Sequence, residues 1–597
     1  MTKKEKEKQP DKVNFEDLNS VFENNLKIYN QYLESFKNVG TIQNNFPSFT
    51  ANIPNTNNFT INDLSNLIAP TMTKMMESLK NFQIGVQQNP KTYFDQLNKW
   101  VSQIASLNFY FVTKASGGAA NPVVLEEKTD KRFSNEEWKS NLFFDFIKQF
   151  YLISTNFLNN LIENVEFKDP KDKRLMQFYL KQLNSALSPS NFAFTNPEVL
   201  KKTVDEKGNN LAKGYENYKK DFEKHPNKLF IQQSKAGEFE IGKNLATTKG
   251  KVIFKNNLFE LIQYDCTTDQ QYAKPMLVIP PFINKYYIMD LNDKKSMMKY
   301  LVDKKLNTFL ISWKNPDASS RNISFKEYIE DGVLEALRVT CEKTGSNTAN
   351  IASYCVGGTL ASLALAYLKV VPNKYKISSA TYFASLIDFE DPGEIGIFIT
   401  EEQIASIENQ MKKTGYFDGK DMAAAFNFLR PADLYWNYVV NNYLLGNEPT
   451  AFDMLHWNSD STRLPEKMHS EYLRCMYLNN LVVKNKYKIG DVEIDLSKID
   501  TPMFAVATTE DHIAPWRSVY QGLNAYNSHI NFVLSNSGHI AGIIQGTENK
   551  PGKLHFYTKK FEKGKTQDEW FDSTKKVEGS WWPIWISWLA ANSGEFK

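Results

Sequence analysis

The chain has 597 residues, too many for one ordinary core, which excludes a peptide hormone or small zinc module and calls for a catalytic-sized domain plus a further domain or long embellishment. Its 71 Lys and Arg against 68 Asp and Glu leave a net charge of +3, near balance over this length, so no electrostatic footprint for nucleic acid is present. Hydrophobic residues make up 42% and aromatic ones 13%, ample for large cores and more rings than packing alone needs, so some rings are expected along a surface or tunnel.

The N-terminus, MTKKEKEKQPDK, is charged and lacks an apolar run, so no secretory signal is expected. Phe15, Leu18, Phe22, Leu26, Tyr29, Leu33 and Phe36 step by three and four and predict an amphipathic helix that needs a partner. Residues 41–70, rich in Asn, Thr and Ser with Pro47, Pro54 and Pro70, read as a loop or linker. Helical patterning resumes from Met72 to Phe111, runs again through Trp138, Leu142, Ile147, Phe150, Tyr151 and Phe157, and continues past Leu175 to Leu187. A mainly helical N-terminal domain over residues 1–225 is expected.

From residue 226 the texture changes to short β-rich runs alternating with helical ones, which predicts an α/β domain with a mostly parallel sheet over 226–597. Candidate strands are Lys251 to Phe254, Leu258 to Tyr264, Met276 to Pro280, Thr308 to Trp313, Ala349 to Tyr354, Ile377 to Ala384, Met503 to Thr508 and Asn531 to Leu534. The connection between the sixth and seventh is far longer than a crossover loop, and residues of about 386–490 are expected to form a lid or cap. The longest apolar stretches, including WWPIWISWLAA from Trp581 to Ala591, fall short of the roughly 20 residues that span a bilayer. For the terminal tryptophans, packing of a buried helix that begins near Pro583 is expected over a grip on polymer or lipid.

Cys266, Cys341, Cys355 and Cys475 show no paired spacing and no adjacent His cluster, so neither a disulfide framework nor a zinc site is indicated and a reduced, cytosolic protein is expected. Cys355 differs from the other three in its setting. In NIASYCVGGTLASLALAYL it directly follows a strand and directly precedes an Ala/Leu-rich helix, the context of a nucleophile elbow, here S-x-C-x-G with Ser353 where G-x-S-x-G has its first glycine. By itself the motif is equally consistent with a small buried residue in a turn. Two further strand ends bear on it: Met503 to Thr508 runs into Thr509, Glu510, Asp511 and His512, and Asn531 to Leu534 into Ser535, Asn536, Ser537, Gly538 and His539. Open α/β sheets put their sites at strand C-terminal ends, and Cys355, Asp511, His539 follow the nucleophile, acid, base order of α/β-hydrolases. A thiol needs a base to become a thiolate, and an oxyanion needs two backbone donors, for which Val356 and Ile283 are the candidates. A thiol exchanging with a thioester keeps the acyl group activated, which favours acyl transfer over plain hydrolysis.

These residues resemble the class I polyhydroxyalkanoate synthases. The resemblance rests on FEIGKNLATTKGKVIFKNNLFELIQY, PPFINKYYIMDL, SWKNPD, SYCVGGTLAS, FLRPADLYWNYVVNNYLLGN, EDHIAPW, SGHIAG and GSWWPIWISWLA, and runs from about Phe133 to the C-terminus. It implies an α/β-hydrolase fold with a lid and a helical N-terminal domain. It also implies polymerisation of (R)-3-hydroxyacyl-CoA, with 3-hydroxybutyryl-CoA the expected unit, through Cys355 as acyl carrier, His539 as base and Asp511 as third member that also helps activate the incoming 3-hydroxyl. Coenzyme A would be the leaving group, with no cofactor and no metal. A homodimer at the surface of cytoplasmic polyester granules is implied, with the growing polyester and granule-associated proteins as partners and no nucleic acid or transmembrane segment. Ser353 departs from the family's glycine and adds a hydroxyl and a Cβ to a crowded turn.

Other residues divide between functional and structural readings. His512 is either a wall of the substrate entrance or a structural residue after its strand, and Arg430 either meets the phosphates of coenzyme A or forms an ion pair. The lid rings Tyr435, Trp436, Tyr438, Tyr443, Phe452 and Trp457 either line an acyl tunnel or pack the cap. Rival functions are a thioesterase or intracellular polyester depolymerase with the same triad, and a non-catalytic granule scaffold.

Overall fold

A computed structural model describes residues 77–597 except 129, 225–230, 236 and 549–551. The expected amphipathic helix at Phe15 to Phe36, the linker at 41–70 and the 225/226 domain boundary lie outside the described residues. The N-terminal region is helical: α1 (Pro90–Ala115), α2 (Leu142–Asn164), α3 (Pro170–Ala186) and α4 (Asn209–Lys224). Two expected continuous helices are broken. Pro90 starts α1 afresh because proline cannot continue the preceding hydrogen-bond ladder. Asn141 leaves the helical region and caps α2, its side chain accepting from the N–H groups of Phe143 and Phe144, which separates Trp138 from the helix that follows.

The strands of the central sheet are β1 (Gly250–Lys255), β2 (Phe259–Tyr264), β3 (Met276–Ile279), β4 (Thr308–Trp313), β5 (Thr348–Tyr354), β6 (Lys376–Phe383), β7 (Met503–Thr508), β8 (Ile530–Ser535), β9 (His555–Lys560) and β10 (Lys576–Glu578). All ten join one sheet in the order 1-2-4-3-5-6-7-8-9-10. From β4 to β8 the neighbours run parallel, while β1 and β2 on one side and β9 and β10 on the other are antiparallel. This is the α/β-hydrolase arrangement. The eight strands expected from sequence are all present, and β9 and β10 extend the sheet beyond them.

Each face of the sheet carries its own core. α5 (Val356–Leu368) is apolar all round and buried along nearly its whole length, as a helix pressed between sheet and flanking layers must be. On the other face lies α6 (Trp582–Asn592), with Trp581, Trp582, Trp585 and Leu589 buried beneath it. Pro583 sits in its first turn, where the missing N–H costs nothing. The Trp585 ring packs edge-on against Phe383 at 5.1 Å and its N–H donates to Thr381 Oγ1 at 2.9 Å. The terminal tryptophans are therefore core.

Between β6 and β7 the chain builds the lid, which the N-terminal helices hold from outside. Phe178 of α3 packs edge-on against Phe398 at 5.0 Å, and Lys181 reaches both Glu394 and the Leu429 carbonyl at 2.8 Å. Along α4, Asn210 donates to the Leu444 carbonyl at 2.8 Å, and Asp221 accepts from the Tyr443 hydroxyl at 2.8 Å. Gly214 lets the backbones meet: a Cβ there would stand 1.8 Å from the Tyr443 carbonyl oxygen. Gly214→Ala is expected to prise this contact apart at a cost of about 1–3 kcal/mol, read as a lower thermal midpoint together with faster proteolysis between residues 430 and 450. An unchanged cleavage rate would show that α4 does not restrain the lid.

Candidate active site

β5 ends at Tyr354, and the chain turns at Cys355 with φ 54° and ψ −127° before α5 begins at Val356. A non-glycine residue held at positive φ is strained, and the surroundings must impose it. The Cys355 N–H donates to the Phe383 carbonyl at 2.9 Å, which ties the turn to β6. A Cβ on Gly357 would come within 2.5 Å of the Ile279 carbonyl oxygen and 2.9 Å of that of Pro280, so α5 can pass the end of β3 only with glycine there. Ser353, the departure on the near side, is fully buried and donates its hydroxyl to the Thr381 carbonyl at 2.9 Å. The extra polar atom is satisfied, and the elbow accommodates it.

Asp511 and His539 leave the ends of β7 and β8. The His539 Nδ1 lies 2.7 Å from Asp511 Oδ2, and the Asp511 side chain is wholly buried. Its Oδ2 also accepts from the Thr508 hydroxyl at 3.3 Å, and its Oδ1 takes the N–H groups of Ile513 and Ala514 at 2.9 and 2.8 Å. With Nδ1 bonded to Asp511, the other ring nitrogen is the one left for the Cys355 sulfur. Burial disfavours the imidazolium, yet the Asp511 carboxylate and the Cys355 sulfur outweigh it and raise the ring to about 10. Cys355, Asp511 and His539, from three strand ends, thus share one site.

The loop bearing His539 is pinned from below. Trp581 and Trp582 donate their indole N–H groups to the carbonyls of Gly542 and Ile543, both at 3.0 Å. Tyr354 donates to the carbonyl of His539 itself at 3.0 Å. Sequence patterning marked the two tryptophans as core and gave no sign that they or Tyr354 hold this loop.

Val356 is the first residue of α5, where an N–H has no partner within its own helix. Ile283 follows β3 in a loop fastened to the end of the lid: its carbonyl accepts the Thr462 N–H at 2.8 Å, and the Phe282 carbonyl accepts the Thr462 hydroxyl at 2.5 Å. His512 is depressed to about 4 by burial, against the pull of Asp511, with His539, Arg430 and Lys181 adding to the depression. Its buried Nδ1 has no hydrogen-bond partner. Arg430 pairs with Asp433 at 2.6 Å and lines a cavity of about 1850 Å³ between the N-terminal helices and the lid. Other cations there are likewise paired, Arg174 with Asp391 at 2.9 Å and Lys181 with Glu394 at 2.8 Å.

The lid rings singled out from sequence divide between packing and cavity, with Trp436 lining the cavity beside Arg430. Tyr443 bonds to Asp221, Trp457 donates to the Lys285 carbonyl at 2.7 Å, Tyr435 and Trp436 pack on each other at 5.4 Å, and Phe452 is 44% exposed. Two other lid rings, Tyr472 and Tyr477, lie near Cys355. Burial raises both phenols and the Cys355 sulfur adds to the rise, which puts them within its field. They meet each other at 5.1 Å and Phe389 at 6.0 and 4.8 Å. Among the described residues no three His, Cys, Asp or Glu side chains group to hold a metal ion, and no helix is long and apolar enough to cross a membrane.

Residues 129–301 match the family model described as the poly-beta-hydroxybutyrate polymerase (PhaC) N-terminus, and residues 274–544 that of the alpha/beta hydrolase fold. The poly(3-hydroxyalkanoate) polymerase of Methylorubrum extorquens is 41% identical over 508 residues, 85% of this chain and 84% of the relative. The chain belongs to the poly(3-hydroxyalkanoate) polymerase family. A polymerase subunit of the same name from Cupriavidus necator is 38% identical over 474 residues, 78% of each chain. As an enzyme of this family the chain is a polyester synthase, and the α/β-hydrolase fold carries its site.

Buried histidines contribute to the pH response of the fold on both sides of neutrality. His469, stacked on Phe417 at 4.6 Å, is driven by burial to about 3 and His512 to about 4, both below the 6.5 of an unfolded chain. The unfolded chain binds the extra protons, so stability is lost as pH falls from 6.5 toward 4. His539, raised to about 10, has the opposite sign: its contribution is complete below 6.5 and is lost as pH climbs toward 10. Thermal midpoints across pH 4–10 should show His469→Gln flattening the acid side and His539→Gln the alkaline side, with parallel curves counting against both assignments.

Proposed function

We propose that this enzyme polymerises (R)-3-hydroxyacyl-CoA, with 3-hydroxybutyryl-CoA as its unit, through a thioester on Cys355. The Cys355 sulfur attacks the thioester carbonyl carbon after its proton passes to His539, and the oxyanion is met by the N–H groups of Val356 and Ile283. The bond to sulfur of coenzyme A breaks, and His539 returns the proton to that leaving sulfur. The 3-hydroxyl of the next unit then gives its proton to His539 and attacks the acyl-Cys355 carbonyl. An ester bond forms, the C–S bond breaks, and the thiol is restored. The lengthened CoA thioester reloads Cys355 and releases coenzyme A. Asp511 orients His539 throughout, and the chemistry draws only on these side chains and the activation of the thioester.

The observation that carries this reading is a cysteine held at a positive-φ elbow against an imidazole bonded to a buried aspartate. A thiol suits a chain that must stay activated between transfers, and a lid over the site keeps water from the thioester. His512, neutral and unpartnered at Nδ1, suits a wall of the entrance better than a base. For Arg430 to meet the phosphates of coenzyme A it would have to exchange Asp433. A homodimer at the surface of cytoplasmic granules, with granule-associated proteins nearby, rests on the family resemblance.

Purified enzyme given 3-hydroxybutyryl-CoA should release coenzyme A while turbidity from insoluble polyester grows. Coenzyme A released in step with soluble 3-hydroxybutyrate would make it a thioesterase instead. Cys355→Ala should release none, and His539→Gln should lose turnover by a factor on the order of 10² or more. His512→Gln should mainly raise the substrate concentration needed; a dead His512→Gln beside an active His539→Gln would transfer the role of base.

A further inference from the structure

A general base must be held in two respects: which nitrogen faces the nucleophile, and where the ring plane lies. The bond from Nδ1 to Asp511 settles the first, but one hydrogen bond leaves the ring free to swing about it. The Trp581 and Trp582 indoles grip the chain three and four residues further on, at Gly542 and Ile543. One residue grips His539 directly. The Tyr354 ring lies against the imidazole, with centroids 5.3 Å apart and planes 27° from parallel, and its hydroxyl donates to the main-chain carbonyl of His539 at 3.0 Å.

We propose that Tyr354 is a positioning residue for His539, clamping its ring and its backbone together so that nucleophile and base hang from the same strand end. The proposal rests on the assignment of His539 as base. Tyr354 is the last residue of β5 and directly precedes Cys355, so any shift of the elbow moves the clamp with it. It is fully buried. A tyrosine in a core needs only some acceptor for its hydroxyl and some neighbour for its ring. Here both contacts fall on one residue, 185 positions away in the chain. Burial, with Cys355 and Asp511 adding, holds the phenol far above its ordinary range, so the hydroxyl keeps its proton and remains a donor.

The ring contact also bears on charge. The groups acting on the imidazole are Asp511 at Nδ1, Cys355, His512 beyond Asp511, and the face of Tyr354. An aromatic face favours a cation lying on it. Removing the ring should therefore displace His539 and weaken its protonated form at once, which a residue that merely fills the core would not do.

The test compares Tyr354→Phe, which keeps the ring and deletes the hydroxyl, with Tyr354→Leu, which deletes both. Steady-state release of coenzyme A is followed from pH 6 to 10.5, and alkylation of Cys355 by iodoacetamide at pH 7 is followed without substrate. Tyr354→Phe should lower kcat several-fold with KM unchanged. Tyr354→Leu should lower kcat by a factor on the order of 10², move the alkaline limb down by on the order of one pH unit and slow the alkylation. A Tyr354→Leu enzyme with an unmoved alkaline limb and wild-type alkylation overturns the proposal, whatever happens to kcat. Should Tyr354→Leu fail to fold, Tyr354→Phe decides: wild-type kcat and alkylation in that variant overturn the clamp. Alkylation needs no substrate, so the clamp is judged even if the wild type releases no coenzyme A, a result that would sink the functional assignment alone.

Discussion

A carboxylate withdrawn from water has to find hydrogen bonds for both its oxygens, and Asp511 finds them in only one arrangement of the chain. Two N–H groups of its own turn take one oxygen, and the Thr508 hydroxyl and the His539 ring take the other. That bond joins loops from adjacent parallel strands and fixes the imidazole tautomer. The rest of the site is built around it. The elbow brings Cys355 to the free side of the ring, Tyr354 covers one face of the imidazole, and the indoles of Trp581 and Trp582 hold the loop behind. The C-terminal helix is thus part of the support of His539.

Enclosure is achieved in layers. The sheet and α5 supply a floor, the segment between β6 and β7 supplies a cover that brings Tyr472 and Tyr477 near Cys355, and α3 and α4 brace that cover from outside. The braces combine contacts of different kinds: an aromatic edge at Phe398, a paired lysine at Glu394, a backbone approach at Gly214. The N-terminal helices, remote in sequence from Cys355, Asp511 and His539, thus hold the cover of the site in place.

Much of the fold was legible because its signals are local. Strands β1 to β8 declare themselves by short β-branched runs between turn residues, and the elbow by small residues directly after one of them. What escaped has a physical reason in each case. β10 is a three-residue edge strand exposed throughout, and β9, although paired on both sides, buries only Phe556 and ends in two exposed lysines, so neither carries a buried stripe. The helix breaks at Asn89–Pro90 and Asn141 were hidden because apolar spacing continues across them while capping and proline chemistry overrule it. The aromatic run from Tyr435 to Trp457 drew the eye by density, but density says nothing of direction. Tyr443 and Trp457 fasten the cap to Asp221 and Lys285, while Trp436, packed on Tyr435, also lines the cavity.

The sequence by itself determined the order of the three polar groups, the strand ends that carry them and the family to which they point. It did so because each rests on a few consecutive residues whose backbone preferences need no distant partner. Only the tertiary structure decided that Tyr354 lies on His539, that Tyr472 and Tyr477 come near Cys355, that His512 stays neutral beside Asp511, and that Arg430 is paired with Asp433. Nearly all of these depend on which buried surfaces meet across long loops, and on the low dielectric that results. Burial and charge at one point are sums over neighbours that the chain brings from far away, and no window of sequence contains them.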